Sequence, residues 1–125
     1  MAEYPIQNAD QVKNAIKSMI SQIVTDTSYG EVLIELLRLE NSIKNGIEKY
    51  GKDKPIIVCM HYPPLLKDFK NSEFTKILEK YNTKYCIYGH LHGKSHVNVL
   101  EGNINGVNYK MASCDYTKFD LIKIV

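Results

Sequence analysis

From Ala9 to Val24, the apolar residues Val12, Ala15, Ile16, Met19, Ile20 and Ile23 recur at spacings of three and four. That period predicts an amphipathic helix behind Asn8 or Asp10 as N-cap. Ser28-Tyr29-Gly30-Glu31 has the form of a capping box and predicts the start of a longer helix. Its stripe is Val32, Leu36, Leu39, Ile43 and Ile47, widened by Leu33 and Leu37, and Gly51 is its expected stop. Both stripes read as core contacts.

Beyond Gly51 the period changes. The run Pro55 to Met60 is apolar at nearly every position, which predicts a strand covered on both faces. A proline-containing loop follows. A helix is then expected from about Glu73 to Tyr81, with Phe74, Ile77, Leu78 and Tyr81 on one face and Ser72 or Asn71 as cap. Residues 84–88 read as a second strand. Strand, helix and strand make a crossover unit, whose two strands should be parallel neighbours. The last third reads as an antiparallel addition. His96 to Leu100 alternates, Asn105-Gly106 is a hairpin-turn signal, Val107 to Ala112 returns, and Phe119 to Ile124 is expected to close the chain as a strand. The fold class is therefore α/β (α+β): N-terminal helices, a βαβ crossover unit and C-terminal antiparallel strands.

Length and charge narrow the function classes. The chain has 125 residues, suited to a single domain over 1–125, and a formal charge of +2 with 24% charged residues. Its lysines are scattered rather than blocked with aromatics, so nucleic acid is not an expected partner. The start lacks a cationic segment followed by an apolar core, and no apolar run reaches about 18 residues, so no membrane role is expected and the expected location is cytoplasmic. Cys59, Cys86 and Cys114 form no Cys-x-x-Cys pair. They read as free thiols of a reducing compartment, the first two buried in strands.

The candidate chemistry lies in the histidines. His61 ends the first strand and precedes Tyr62-Pro63-Pro64, while Tyr88-Gly89-His90-Leu91-His92-Gly93 follows the second. Parallel strands would bring His61 and His90 out at the same carboxyl edge, where α/β proteins build sites. Neutral imidazoles converging there suit a transition metal, and the flanking glycines would permit a sharp turn and a close approach. His61, His90 and His92 are therefore the candidate metal ligands. Asp115 and Asp68 are the carboxylates placed to add to a mononuclear three-histidine site, against turn capping or plain solvation as their bland roles. His96 and Tyr62 are candidates for a position behind the ligands or beside a substrate, as is Asp115.

At these residues the chain resembles the calcineurin-like metallophosphoesterase superfamily. The resemblance rests on Ile57 to Pro64 and on Cys86 to Gly93. The later Asn105-Gly106-Val107-Asn108-Tyr109 and Ser113-Cys114-Asp115-Tyr116 look most like the predicted phosphohydrolases of bacteria and archaea. It runs from about Glu31 to the C-terminus, residues 31–125, with no counterpart recognised in 1–30. The resemblance implies the C-terminal half of a β-sandwich flanked by helices. It also implies a two-metal centre of Mn, Fe or Zn type, whose bridging hydroxide attacks phosphorus in line. By motif, His61 and His90 resemble ligands of the second metal and His92 a ligand of the first.

The chain departs from the superfamily in its acidic motifs. Asp-x-His, Gly-Asp-x-x-Asp and Gly-Asn-His, which carry the other ligands, occur nowhere in the 125 residues. The expectation is a hydrolase-family chain, a truncated domain that is catalytically incomplete alone and holds at most one divalent metal. It would act on a phosphoester only when completed by an N-terminal half, through a complementing chain or a homo-oligomer. The alternative is a non-catalytic remnant or association module.

Overall fold

The computed structural model describes residues 29–124. The helix expected over Ala9 to Val24 and the cap at Ser28 lie outside them. Helix α1 spans Tyr29–Tyr50 and buries Leu36, Leu39 and Ile43. Gly51 ends it at φ +87°, donating its N–H to the Ile47 carbonyl at 2.8 Å. A positive φ there is open to glycine at no steric cost.

The crossover unit follows as β1 (Ile57–Met60), α2 (Glu73–Lys80) and β2 (Tyr85–Tyr88). Ser72 caps α2: its Oγ accepts from the Thr75 N–H at 3.2 Å, and Thr75 Oγ1 accepts from the Ser72 N–H at 2.8 Å. Strands β1 and β2 pair in parallel, Ile57 opposite Tyr85 and Met60 opposite Tyr88. The hairpin forms as β3 (Gly102–Ile104) and β4 (Val107–Met111) about Asn105 (φ +52°) and Gly106 (φ +90°). Positive φ at both central residues is the turn that Asn-Gly selects.

Sheet order is β1-β2-β4-β3, so β4 joins β2 in parallel and only β3 runs antiparallel. Alternation then sorts the two faces. Val58, Cys86, Tyr88, Tyr109 and Met111 pack with Leu36, Leu39, Ile43, Ile77 and Leu78 in one core. The opposite face carries Ile57, 43% exposed, and the exposed Cys59, beside the half-buried Tyr85 and Ile87.

Four expectations are corrected here. Among the described residues the first strand is an edge strand covered on one face, and its thiol Cys59 is exposed while Cys86 is buried. Residues Gly93–Asn98 form a 3-10 helix instead of a strand, anchored where Ser95 N–H bonds the His92 carbonyl and Val99 N–H that of His96. The C-terminal hairpin is antiparallel as expected, and it joins the crossover unit through the parallel pairing of β4 with β2. Residues 119–124 form no strand: Phe119 is 81% exposed and Leu121 fully so.

Candidate functional site

The carboxyl ends of β1 and β2 set the site. His61 follows directly on β1, and its carbonyl accepts the Gly89 N–H at 3.1 Å, extending the strand pairing by one step. The chain then reverses at His90, where φ is +71° and Leu91 N–H bonds the Gly89 carbonyl at 2.8 Å. This is a tight three-residue turn with a non-glycine residue at its centre, a strained geometry. Gly89 does not take the positive φ that its type permits; among the flanking glycines only Gly93 does, at +54°.

The turn brings His90 Nδ1 to 3.3 Å from His61 Nε2. Tyr62 lies against both rings, 4.7 Å from His61 and 4.6 Å from His90 between centroids. Tyr62 is largely exposed, and forms an aromatic wall open to anything that approaches the pair. Two imidazole nitrogens at 3.3 Å suit an N–H···N hydrogen bond, or two ligands of one ion. Nitrogens bound tetrahedrally at about 2.0–2.1 Å stand roughly 3.3 Å apart.

His92 is held separately. Its Nδ1 lies 2.8 Å from Asp115 Oδ1, and Gly93 N–H donates to Asp115 Oδ2 at 2.8 Å. The Gly93 N–H, with His92 and His96, holds the Asp115 carboxyl well below the ordinary carboxylate range. With Nδ1 donating to that carboxylate, His92 keeps Nε2 as its free acceptor, the tautomer a metal or proton site uses. His96 Nε2 comes within 3.2 Å of Asp115 Oδ1 without the alignment of a hydrogen bond, and its ring meets Tyr116 edge-on at 5.2 Å. Asp68 is exposed, in the tight turn closed by Leu66 and Phe69.

Two residues that fix this region were not among the candidates read from the sequence. Glu101 accepts from the Met111 N–H at 3.0 Å and the Tyr116 hydroxyl at 2.8 Å, tying the segment that holds Asp115 to β4. Tyr88 donates its hydroxyl to the Leu100 carbonyl at 2.7 Å and accepts the Leu100 N–H at 3.1 Å. Burial, chiefly, pushes that phenol up to about 12, so it stays a donor at any physiological pH. Glu101 sits in no motif or periodic stripe, and Tyr88, though it opens the histidine motif, shows nothing there of what its hydroxyl would bond. Both act through partners 10 to 15 residues away.

The family model of the calcineurin-like phosphoesterases matches residues 13–94, more than half of the chain and including His61, His90 and His92. The chain belongs to that family, whose members generally use divalent metal ions. The match begins upstream of Glu31 and ends at the close of the histidine motif. No curated protein and no solved structure gives a significant match. The donor set fits such a centre only in part. His61 and His90 stand at ligand spacing. Among the described residues, no group of three or more His, Cys, Asp or Glu side chains is arranged to hold a metal ion. No helix among them is long and apolar enough to cross a membrane.

Proposed function

We propose that this chain is the histidine-bearing part of a metal-dependent phosphoesterase, whose acidic ligands are supplied by another segment, in a longer protein or by assembly with a second chain. The observation that carries the reading is the approach of His61 Nε2 to His90 Nδ1, 3.3 Å, at the carboxyl ends of neighbouring parallel strands. Alone, two neutral imidazoles bring no negative charge, so they hold at most one divalent ion and cannot keep two together. His92, poised by Asp115, is the third ligand available to a completed centre. His96 lies behind it, and Tyr62 borders the space a phosphoester would enter.

A second reading is a non-catalytic remnant that binds one ion and serves in association. It is favoured by the lack of Asp-x-His, Gly-Asp-x-x-Asp and Gly-Asn-His in the 125 residues. Titration of the chain with zinc and then manganese tests both. The expectation is one zinc per chain, weakened about 10- to 100-fold or more in His61→Ala and in His90→Ala. Hydrolysis of an aryl phosphate or phosphodiester with manganese is expected to be negligible. Manganese-dependent turnover abolished by His61→Ala would show that a local carboxylate suffices. Zinc binding absent, with no effect of His90→Ala, would leave an α/β protein whose histidines bind nothing.

A further inference from the structure

Asp115 meets three nitrogens at once. Its Oδ2 accepts the Gly93 N–H at 2.8 Å, while Oδ1 stands 2.8 Å from His92 Nδ1 and 3.2 Å from His96 Nε2. An ionised carboxylate only accepts, so an imidazole nitrogen that faces it has to carry the proton. Lone pair against carboxylate would repel at either distance, including the 3.2 Å approach that lacks the alignment of a hydrogen bond. The two rings meet the same oxygen through different nitrogens. Neutral His92 is therefore protonated on Nδ1, and neutral His96 on Nε2.

We infer that Asp115 is a positioning residue that sets opposite tautomers in His92 and His96, leaving Nε2 of the first and Nδ1 of the second as the lone-pair nitrogens. Its bearing on a metal rests on the reading given under Proposed function: of the two rings, only His92 can offer Nε2 to a completed centre. The third contact makes a carboxylate necessary. The Gly93 N–H belongs to the backbone and cannot turn into an acceptor, so it claims one oxygen of whatever side chain stands at position 115. Aspartate has a second oxygen for the histidines. Asparagine has an NH2 group in that place, whose two hydrogens would face His92 Nδ1 and His96 Nε2. The rings can answer only by moving their protons to the far nitrogen. The carboxylate is also fixed in place, because Tyr116 beside it donates its hydroxyl to Glu101 at 2.8 Å and its N–H to the Ser113 carbonyl at 3.0 Å. Held well below the ordinary carboxylate range, by the Gly93 N–H first and by the histidines after it, Asp115 stays an acceptor at neutral and alkaline pH. A role as helix cap alone predicts something else. His92 gives no side-chain cap to the short helix Gly93–Asn98, and Asp115 would then serve only to accept the first N–H of that helix, which asparagine does as well.

The test is long-range proton–nitrogen correlation spectroscopy of the imidazoles in the metal-free full chain at about pH 9, where ordinary imidazoles are neutral. In the wild type, His92 is expected with Nδ1 protonated and His96 with Nε2 protonated, each by about ten-fold or more over the other tautomer. Asp115→Asn should exchange both assignments while the Gly93 amide stays protected from hydrogen exchange. Asp115→Ala, which offers neither ring a partner, should leave both as mixtures and expose the Gly93 amide. A wild-type ring in the opposite tautomer, or with no dominant one, would overturn the inference, and that result needs no variant to fold. So would assignments that Asp115→Asn leaves as they are in either ring, the mark of a cap and nothing more. Zinc titration of the same wild-type sample keeps the two readings apart. Opposite tautomers without zinc binding would sink the functional reading alone, and zinc binding with the wrong tautomers would sink the role of Asp115 alone.

Discussion

His90 is asked to do two things at once, to turn the chain and to present Nδ1 to His61. The first is unfavourable for any residue with a Cβ, because a positive φ crowds that atom against the backbone, at a cost on the order of 1–3 kcal/mol. Glycine would remove the crowding but lose more chain entropy on folding, about 0.5–1 kcal/mol. His90→Ala deletes the ring and keeps the strain, whereas His90→Gly deletes both. The glycine variant is therefore expected to be more stable than the alanine variant by about 1 kcal/mol in urea unfolding, with both equally poor in zinc binding. Equal stabilities would show that position 90 is not held at positive φ in solution. The site keeps an unfavourable backbone at the residue whose ring it uses, which is where strain in a fold is expected to concentrate.

The two helices are joined by an ion pair that their separate patterns did not announce. Glu40 on α1 is 4% exposed and accepts from Lys80 Nζ at 3.1 Å and the Tyr81 hydroxyl at 2.8 Å. Burial alone would raise its pKa, but the bonds from Tyr81 and Lys80 outweigh it and the net shift is downward. A carboxylate depressed on folding contributes stability that is present above its unfolded pKa, near 4.5, and is lost as pH falls through the lower folded value. Glu40→Gln is expected to cost about 1–3 kcal/mol at pH 7 and to flatten the fall in stability below about pH 4.5. Urea unfolding across pH 3–7 checks both parts, and an unchanged acid slope in the variant would remove Glu40 from the account. Glu40 was illegible in the sequence because an acid reads as solvated by its type, although its spacing of four from Leu36 sets it on the apolar face, where α2 supplies the partners. Local signals read well: the Gly51 stop, the Ser72 cap, the Asn105-Gly106 turn and the parallel order of β1 and β2 all depend on residues near in sequence. His61 and His90 were placed together for the same reason, through strand order. The alternation from His96 to Leu100 misled, because its first valine, Val97, is 72% exposed and the segment is set by bonds around His92 and Asp115. Phe119 to Ile124 misled differently: alternation says that a segment can be a strand, while a partner edge decides that it is one.

At the scale of the molecule, the described residues present an apolar surface on one side of the sheet. Ile57 and Cys59 are exposed, Tyr85 and Ile87 half-covered, and Phe119 and Leu121 extend into solvent. A short apolar run in sequence cannot distinguish a strand covered on both faces from one covered on a single face. Contiguous exposed apolar area of this kind marks an interaction surface in a stable protein. The other face is a closed core, with Tyr88, Tyr109, Leu78 and Met111 almost wholly buried, so the described residues can fold cooperatively without burying this face among themselves. The native chain is accordingly expected to bind an anionic naphthalene dye while still unfolding in one cooperative step. That combination separates a bare folded surface from a loosely packed state, which binds dye but loses its side-chain order. Replacing Ile57 and Ile87 together by threonine should remove much of the dye signal. The change in unfolding free energy should stay small, within about 1 kcal/mol, because Ile57 is exposed, Ile87 is only half-covered, and threonine suits a strand. Native protein that binds no dye would mean that this face is covered in solution.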